Sequence, residues 1–287
     1  MNVKTLLWVS VFSGLGLFSC SDDSDPSTAQ VTPVAYPIVR GNVDEASGMA
    51  DSKANAGYLW VHQDSDTPPD LALLSHTGEF LKKIYIKNLW NRDWEDMAIA
   101  KGPDPSKDYI YLSDMGDNYY RWSSYFIYRF PEPSKTVDTI YSYEKIEFRY
   151  PDGYHDAEAF VVDPSNNDIY IITKRDAKSR VYLLKYPYAI GSVNIVTYQF
   201  ELPYNDVVGA ALEPDSRGLA IKTYADIKYY AVSAGEPIGN VLKKAHTKLP
   251  YQGELQGESI AFTNDGQGYY TLSERRVIDV ALNYYKK

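Results

Sequence analysis

Acidic side chains recur at two fixed phases along this chain, and that spacing is the first place to look for chemistry. The first phase runs Glu45, Glu95, Glu158, Val208 and Glu258, at steps of 50, 63, 50 and 50 residues. The second runs Asp64, Asp114, Lys174, Tyr224 and Glu274, at steps of 50, 60, 50 and 50. Carboxylates held a few Å apart repel one another, and each raises the pKa of the next unless a cation answers the charge. Lys174, Arg92 and Lys222 can neutralise part of the set as ion pairs, or a hard cation such as Ca2+ can sit among the oxygens. Asp64-Ser65-Asp66 and Asp114-Met115-Gly116-Asp117-Asn118 add oxygen ligands directly after the second phase, without the pattern of a twelve-residue calcium loop. The metal candidates are therefore Glu45, Glu95, Glu158, Glu258, Asp64, Asp114, Asp117 and Glu274. The plainer alternative is that the glutamates cap backbone N–H groups of neighbouring strands.

Other chemistry is thinly represented. His62, His76, His155 and His246 lack the spacing of a zinc site. His155-Asp156-Ala157-Glu158 places a histidine beside a phased glutamate, so His155 and Glu158 are the candidates for proton transfer. There is no Gly-x-Ser-x-Gly elbow, and Cys20 is the only cysteine. Trp90, Trp94 and Trp122 flank loops bearing Arg92, Asp93 and Arg121, a composition suited to sugar stacking. Candidate ligand contacts are Arg92, Trp94, Lys174, Lys222 and Tyr224.

The elements that must position these residues follow from the same period. Each unit opens with small and apolar residues (Glu45-Ala-Ser-Gly-Met, Glu95-Asp-Met-Ala-Ile, Glu158-Ala-Phe-Val-Val, Val208-Gly-Ala-Ala-Leu, Glu258-Ser-Ile-Ala-Phe) suited to a crowded inner strand. After a turn comes a β-branched and aromatic second strand: Tyr58 to His62, Tyr109 to Ser113, Ile169 to Thr173, Leu219 to Thr223 and Tyr269 to Ser273. Third strands are expected at 71–74, 125–130, 181–186, 227–232 and 277–282, and fourth strands at 83–87, 145–150, 196–202 and 244–249. A repeat of this length built only from strands predicts an all-β chain, a β-propeller of five four-stranded blades. The fifth blade lacks its outer strand, and Val34 to Arg40 is expected to supply it, closing the ring. A sixth blade between Met115 and Asp152 is the alternative, although that stretch has only two convincing strands. Inner strands start, and second strands end, on one face, so both acidic phases converge on one mouth of the central channel. Most of the 27 Tyr fall at alternate strand positions and are expected between blades.

Outside the ring, Lys4 and the apolar run Leu6 to Phe18 are too short to span a bilayer and read as a signal peptide over 1–19. Leu17-Phe18-Ser19-Cys20 resembles a bacterial lipobox, with Cys20 the lipidated residue. Residues 20–32 carry Asp22, Asp23 and Asp25 and form an acidic tether. Such a stretch resembles the export tag of surface-displayed lipoproteins. Residues 33–287 make one propeller domain. Removing 1–19 takes away only Lys4, so the net charge moves from -9 to -10. That balance, without a basic stripe, speaks against nucleic-acid and anionic-membrane partners other than through the anchor.

Glu45-Ala-Ser-Gly-Met, Trp94-Glu95-Asp96-Met97-Ala98, Asp156-Ala157-Glu158-Ala159-Phe160 and Glu258-Ser259-Ile260-Ala261-Phe262 look like the Glu-x-x-Gly-[Leu/Ile] signatures of the SdiA-regulated-type periplasmic propellers. They also resemble phytase-like and NHL-like bacterial propellers. The likeness spans residues 43 to 265 in short motifs, and Val208 departs from it. It implies an envelope-facing propeller with a metal in its channel mouth, and no established reaction. The expected function is a monomeric surface or periplasmic lipoprotein, anchored to the outer membrane, that binds a small molecule, glycan, peptide or envelope component at an acidic mouth, with Ca2+ as the expected cation. The alternative is a metal-dependent hydrolase, a phytase-like phosphoesterase or a lactonase, for which a basic phosphate lining is sparse.

Overall fold

Side chains alternate between the two faces of a strand, so a sheet buried on both faces needs apolar residues at odd and even positions alike. The second strands have this composition, and a computed structural model, which describes residues 32–287, buries them completely or nearly so. The signal segment, Cys20 and the tether as far as Val31 lie outside the described residues.

The chain enters through β1 (Val34–Pro37) and then builds five sheets in succession. The first holds β2 (Ala46–Asp51), β3 (Tyr58–Gln63), β4 (Asp70–Ser75) and β5 (Phe80–Ile86). The second holds β6 (Trp94–Lys101), β7 (Asp108–Asp114), β8 (Tyr125–Pro131) and, after the two-residue β9 (Thr139–Ile140), β10 (Glu144–Arg149). The third holds β11 (Ala157–Val162), β12 (Ile169–Thr173), β13 (Arg180–Leu184) and, beyond β14 (Asn194–Ile195), β15 (Thr197–Glu201). The fourth holds β16 (Val207–Leu212), β17 (Gly218–Thr223) and β18 (Ile227–Ala231), then the single-turn α1 (Ile238–Val241) and β19 (Thr247–Leu249). The last holds β20 (Gly257–Phe262), β21 (Gly268–Ser273) and β22 (Ala281–Lys286).

The inner strands close a ring, β2 against β6, β6 against β11, β11 against β16, β16 against β20 and β20 against β2. This is a five-bladed β-propeller. The outer strand of the last blade is β1, antiparallel to β22 with Val34 opposite Tyr284, as the sequence predicts. There is no sixth blade among the described residues: the stretch from Met115 to Asp152 supplies β8, β10 and the short β9. β9 runs parallel to β5 and β14 parallel to β10, so each adds a fifth strand to the preceding blade and covers its edge.

The core is divided into five apolar clusters, one at each blade junction. Ile110 and Leu112 of β7 face the first blade with Trp60, Leu71 and Leu73, whereas Tyr109 and Tyr111 face the third with Phe160, Ile169 and Ile171. Each fully buried Ile or Leu contributes about 1.5–3 kcal/mol, so the strand alternation that divides the core also joins the blades.

One strand differs from expectation. The third strand of the last blade is Ala281–Lys286, and Val277 and Ile278 are exposed in the loop before it. Arg275 takes that segment out of the sheet: its guanidinium donates to Asp44 Oδ1 at 2.7 Å, to Asp279 Oδ1 at 2.6 Å and to the Ile38 carbonyl at 2.7 Å.

Candidate functional site

Each inner strand departs from regular pairing near its start. Glu158, Val208 and Glu258 sit at register shifts, between the pairs Ala157–Thr173 and Ala159–Ile172, Val207–Thr223 and Gly209–Lys222, and Gly257–Ser273 and Ser259–Leu272. In β6 the irregularity takes in Glu95 and Asp96, and in β2 it takes in Ser47 and Gly48. A bulge re-aims a side chain that regular pleating would send between blades, and here it aims carboxylates over the channel. Glu45 lies just before β2, half-buried, its carbonyl accepting from the Asp64 N–H at 2.8 Å. Gly48 permits the close approach in the first blade, since a Cβ there would stand 2.8 Å from the Met97 nitrogen.

The acidic mouth divides into two halves. In one, Lys174 answers the charge. Its ammonium bonds Glu158 Oε1, donates to the Tyr224 hydroxyl at 2.8 Å and stands 3.6 Å from Glu258 Oε1. Tyr224 in turn donates to Glu258 Oε1 at 2.5 Å. Burial opposes the Lys174 charge, but Glu158, Glu258 and Glu95 outweigh it and hold its pKa well above the ordinary lysine range. In this half the ion-pairing alternative describes what is present.

In the other half the answer is partial: Arg175 Nε stands 2.6 Å from Asp156 Oδ2, while Asp64, Asp93 and Glu95 form no ion pair among the described residues. Oxygens of Asp64, Asp93 and Glu95 lie within 4.8 Å of one another, and so do oxygens of Glu95, Asp156 and Glu158. Oxygens on opposite sides of a Ca2+ bound at about 2.3–2.6 Å stand roughly 4.6–5.2 Å apart, so either set fits around one ion. Glu158 is 3 % exposed and its Oε2 has no hydrogen-bond partner. Burial, then the neighbouring carboxylates, pushes Glu95 well above the usual range, with Glu158 the first of those neighbours. Burial likewise raises Asp64 to about 6, and burial with the charges of Asp64, Asp156 and Asp114 raises Asp93 to about 7. Glu274 is lifted to about 8 by burial and by Glu258, against Arg276, whose nitrogen is 2.7 Å from its Oε2. Gly116 makes room for the cluster, since a Cβ there would come 2.0 Å from Glu95 Oε1 and 2.6 Å from Asp93 Cγ.

Asp96, the residue after Glu95, ties the inner strands together. Its carboxylate accepts from the Met97 N–H at 2.8 Å and from the Phe160 N–H of the next blade at 3.1 Å. Burial raises it to about 8 even so. Beyond the bulges the channel opens into an apolar cavity of about 290 Å³, lined among others by Met49, Met97, Phe160, Ile260 and Phe262.

Several expected residues have other employment. Asp114 receives Arg92 Nε at 2.9 Å, and burial holds it up to about 6 against that guanidinium. Asp117 accepts from the N–H groups of Arg121 and Trp122 and from the Tyr125 hydroxyl, at 2.8, 2.9 and 2.9 Å, and so fixes the loop after β7. Trp94 is fully buried with its ring edge-on to His62, which leaves no face for a sugar. Lys222 is also fully buried, bonded to the Gly257 carbonyl and the Tyr251 hydroxyl, and burial lowers it to about 8. His155 has its ring nitrogens engaged, Nδ1 by Asp176 at 3.3 Å and Nε2 by Asp152 at 3.2 Å and Tyr182 at 2.9 Å. Asp93 and Asp156 lie outside both acidic phases, and their signal in the sequence is the repeated Asp-x-Glu triplet of Asp93-Trp94-Glu95 and Asp156-Ala157-Glu158.

Fold and site together define a five-bladed propeller with a buried carboxylate cluster at one mouth. No family model matches the chain, and no curated protein matches it. Among solved structures, hydrazine synthase of Kuenenia stuttgartiensis is similar at 11% identity and a TM-score of 0.39, over 82% of this chain. This chain spans 57% of that one, and the fold assignment rests on the ring of blades itself.

Proposed function

We propose that the propeller binds a small ligand at its acidic mouth through a divalent cation, Ca2+, held by Glu95, Asp156 and Glu158, with Asp64 and Asp93 beside it. The observation that carries this reading is the buried Glu158, whose Oε2 has no partner and which has an oxygen within 4.8 Å of oxygens of Glu95 and Asp156. Leaving such a group unpaired costs about 1–3 kcal/mol, more when it is charged, and a cation removes that cost. A cation held by protein on one side keeps coordination positions for ligand oxygens on the other. Binding is favoured over hydrolysis because His155, named for proton transfer, has both ring nitrogens engaged by Asp176, Asp152 and Tyr182 rather than by the cluster. The lipid anchor at Cys20 and the envelope location belong to the same proposal and rest on the sequence.

Thermal melts with chelator and with a Ca2+ titration test it. A ligand bound only by the folded state stabilises it by about 2.7 kcal/mol at one hundred times Kd, so the melting temperature should climb with Ca2+. Glu95→Gln removes a carboxyl group that makes no hydrogen bond among the described residues; it should leave the chelated protein as stable or more so and abolish the Ca2+ increment. Glu158→Gln should instead destabilise the chelated protein by about 1–3 kcal/mol, because it weakens a buried charge-assisted bond to Lys174. A melting temperature indifferent to Ca2+ in the unsubstituted protein sinks the proposal.

A further inference from the structure

We propose that Arg175 and the cation held by Glu95, Asp156 and Glu158 jointly bind an anionic group of the ligand, a carboxylate or a phosphate monoester. This rests on the cation reading above and adds the class of ligand. Arg175 follows Lys174 and has a side chain 44% exposed, unlike the buried Lys174. Its Nε stands 2.6 Å from Asp156 Oδ2, and a terminal nitrogen bonds Asn118 Oδ1. Asp156 therefore serves both the guanidinium and the cation set, which fixes the two positive groups side by side. A guanidinium presents five N–H groups in one plane, so two contacts leave donors for a ligand. An anion with two oxygens can give one to the cation and the other to this fork.

Tyr120 stands on the same side of the mouth. It is 45% exposed and has φ +52°, a left-handed conformation uncommon for an aromatic residue. Asp117 imposes that turn by capping the N–H groups of Arg121 and Trp122. The Tyr120 phenol is a neutral donor at physiological pH, as any tyrosine's is, and burial with the charges of Asp156 and Asp176 raises it further. Without a cation, the ionised fraction of this carboxylate cluster repels any anion that approaches Arg175. Anion binding must then depend on the cation, and linkage requires each to tighten the other by the same factor.

Calorimetry separates the possibilities. Glucuronate, glucose 1-phosphate and glucose are titrated into the protein with chelator and with saturating Ca2+, and Ca2+ is titrated with each sugar present. The expected result is that glucuronate or glucose 1-phosphate binds only with Ca2+ and tightens Ca2+ at least fivefold, whereas glucose does neither; the stronger of the two identifies the anion. Arg175→Gln should abolish that coupling while Ca2+ alone binds equally or more tightly, and Arg175→Lys, which keeps the charge but not the fork, should weaken it. Arg217→Gln, at a turn on the opposite face, should keep it. Ca2+ binding uncoupled from both anions, anion binding equal with chelator, or coupling that survives in Arg175→Gln would each overturn the proposal and leave the cation reading standing. No Ca2+ binding in the unsubstituted protein would overturn both.

Discussion

Glu158 joins a positive charge to a negative cluster: one of its oxygens is bonded to Lys174, its Oε2 has no partner, and it has an oxygen within 4.8 Å of oxygens of Glu95 and Asp156. Such crowding has a pH signature. Asp93, Asp96 and Glu274 are raised by burial to about 7, 8 and 8, so between pH 6.5 and 8 they hold protons in the fold that the unfolded chain has already released. Stability falls with rising pH wherever the folded state binds more protons. His62, lowered by burial to about 4, acts oppositely but only below its unfolded value near 6.5, and Lys222 only above about 8. The melting temperature of the chelated protein should therefore fall from pH 6.5 to 8, and the Ca2+ increment should grow over the same range because protons on Glu95 and Asp93, both raised, compete with the cation. A chelated protein that gains stability from pH 6.5 to 8 contradicts this.

At the scale of elements, the closing strand carries the sharpest test. β1 pairs with β22 from Val34–Tyr284 to Pro37–Ala281, and nothing else among the described residues covers that edge. Deleting residues 1–32 should leave the melting temperature of the propeller unchanged, whereas deleting 1–41 should lower it by several degrees or cause aggregation, because a row of backbone groups loses its partners. Equal melting temperatures would place closure elsewhere. The blades were readable from the sequence because a period near fifty residues and inner strands rich in Ala and Gly have no other economical packing. Residues 277–282 misled because Val277-Ile278-Asp279-Val280 has strand composition, while the segment is set by Arg275 binding Asp44 and the Ile38 carbonyl across the ring closure. The site was half readable. Spacing located Glu95, Glu158 and Lys174, but bulge geometry decides which neighbours reach the mouth, and it brings in Asp93 and Asp156 while β2 places Ser47 and Gly48 at its own bulge. Exposure is not a property of residue type, so Trp94 and Lys222, read as ligand contacts, turn out to be enclosed.

For the whole molecule, a ring of five blades with its core at the blade junctions leaves the channel mouth as the place where side chains of every blade converge, and the net charge of -9 is concentrated there in part. The proposed anchor is independent of this architecture: Cys20→Ala should move the protein from the membrane fraction to the soluble fraction with an unchanged melting curve, and unchanged partitioning would remove the anchor from the account. The central claim, a cation among Glu95, Asp156 and Glu158, is tested most directly by a crystal structure of the protein grown with Ca2+. The account predicts one ion within about 2.3–2.6 Å of an oxygen from each of these three carboxylates, with Lys174 still on Glu158 Oε1. A well-ordered mouth holding only water between Glu95, Asp156 and Glu158 at saturating Ca2+ would contradict it.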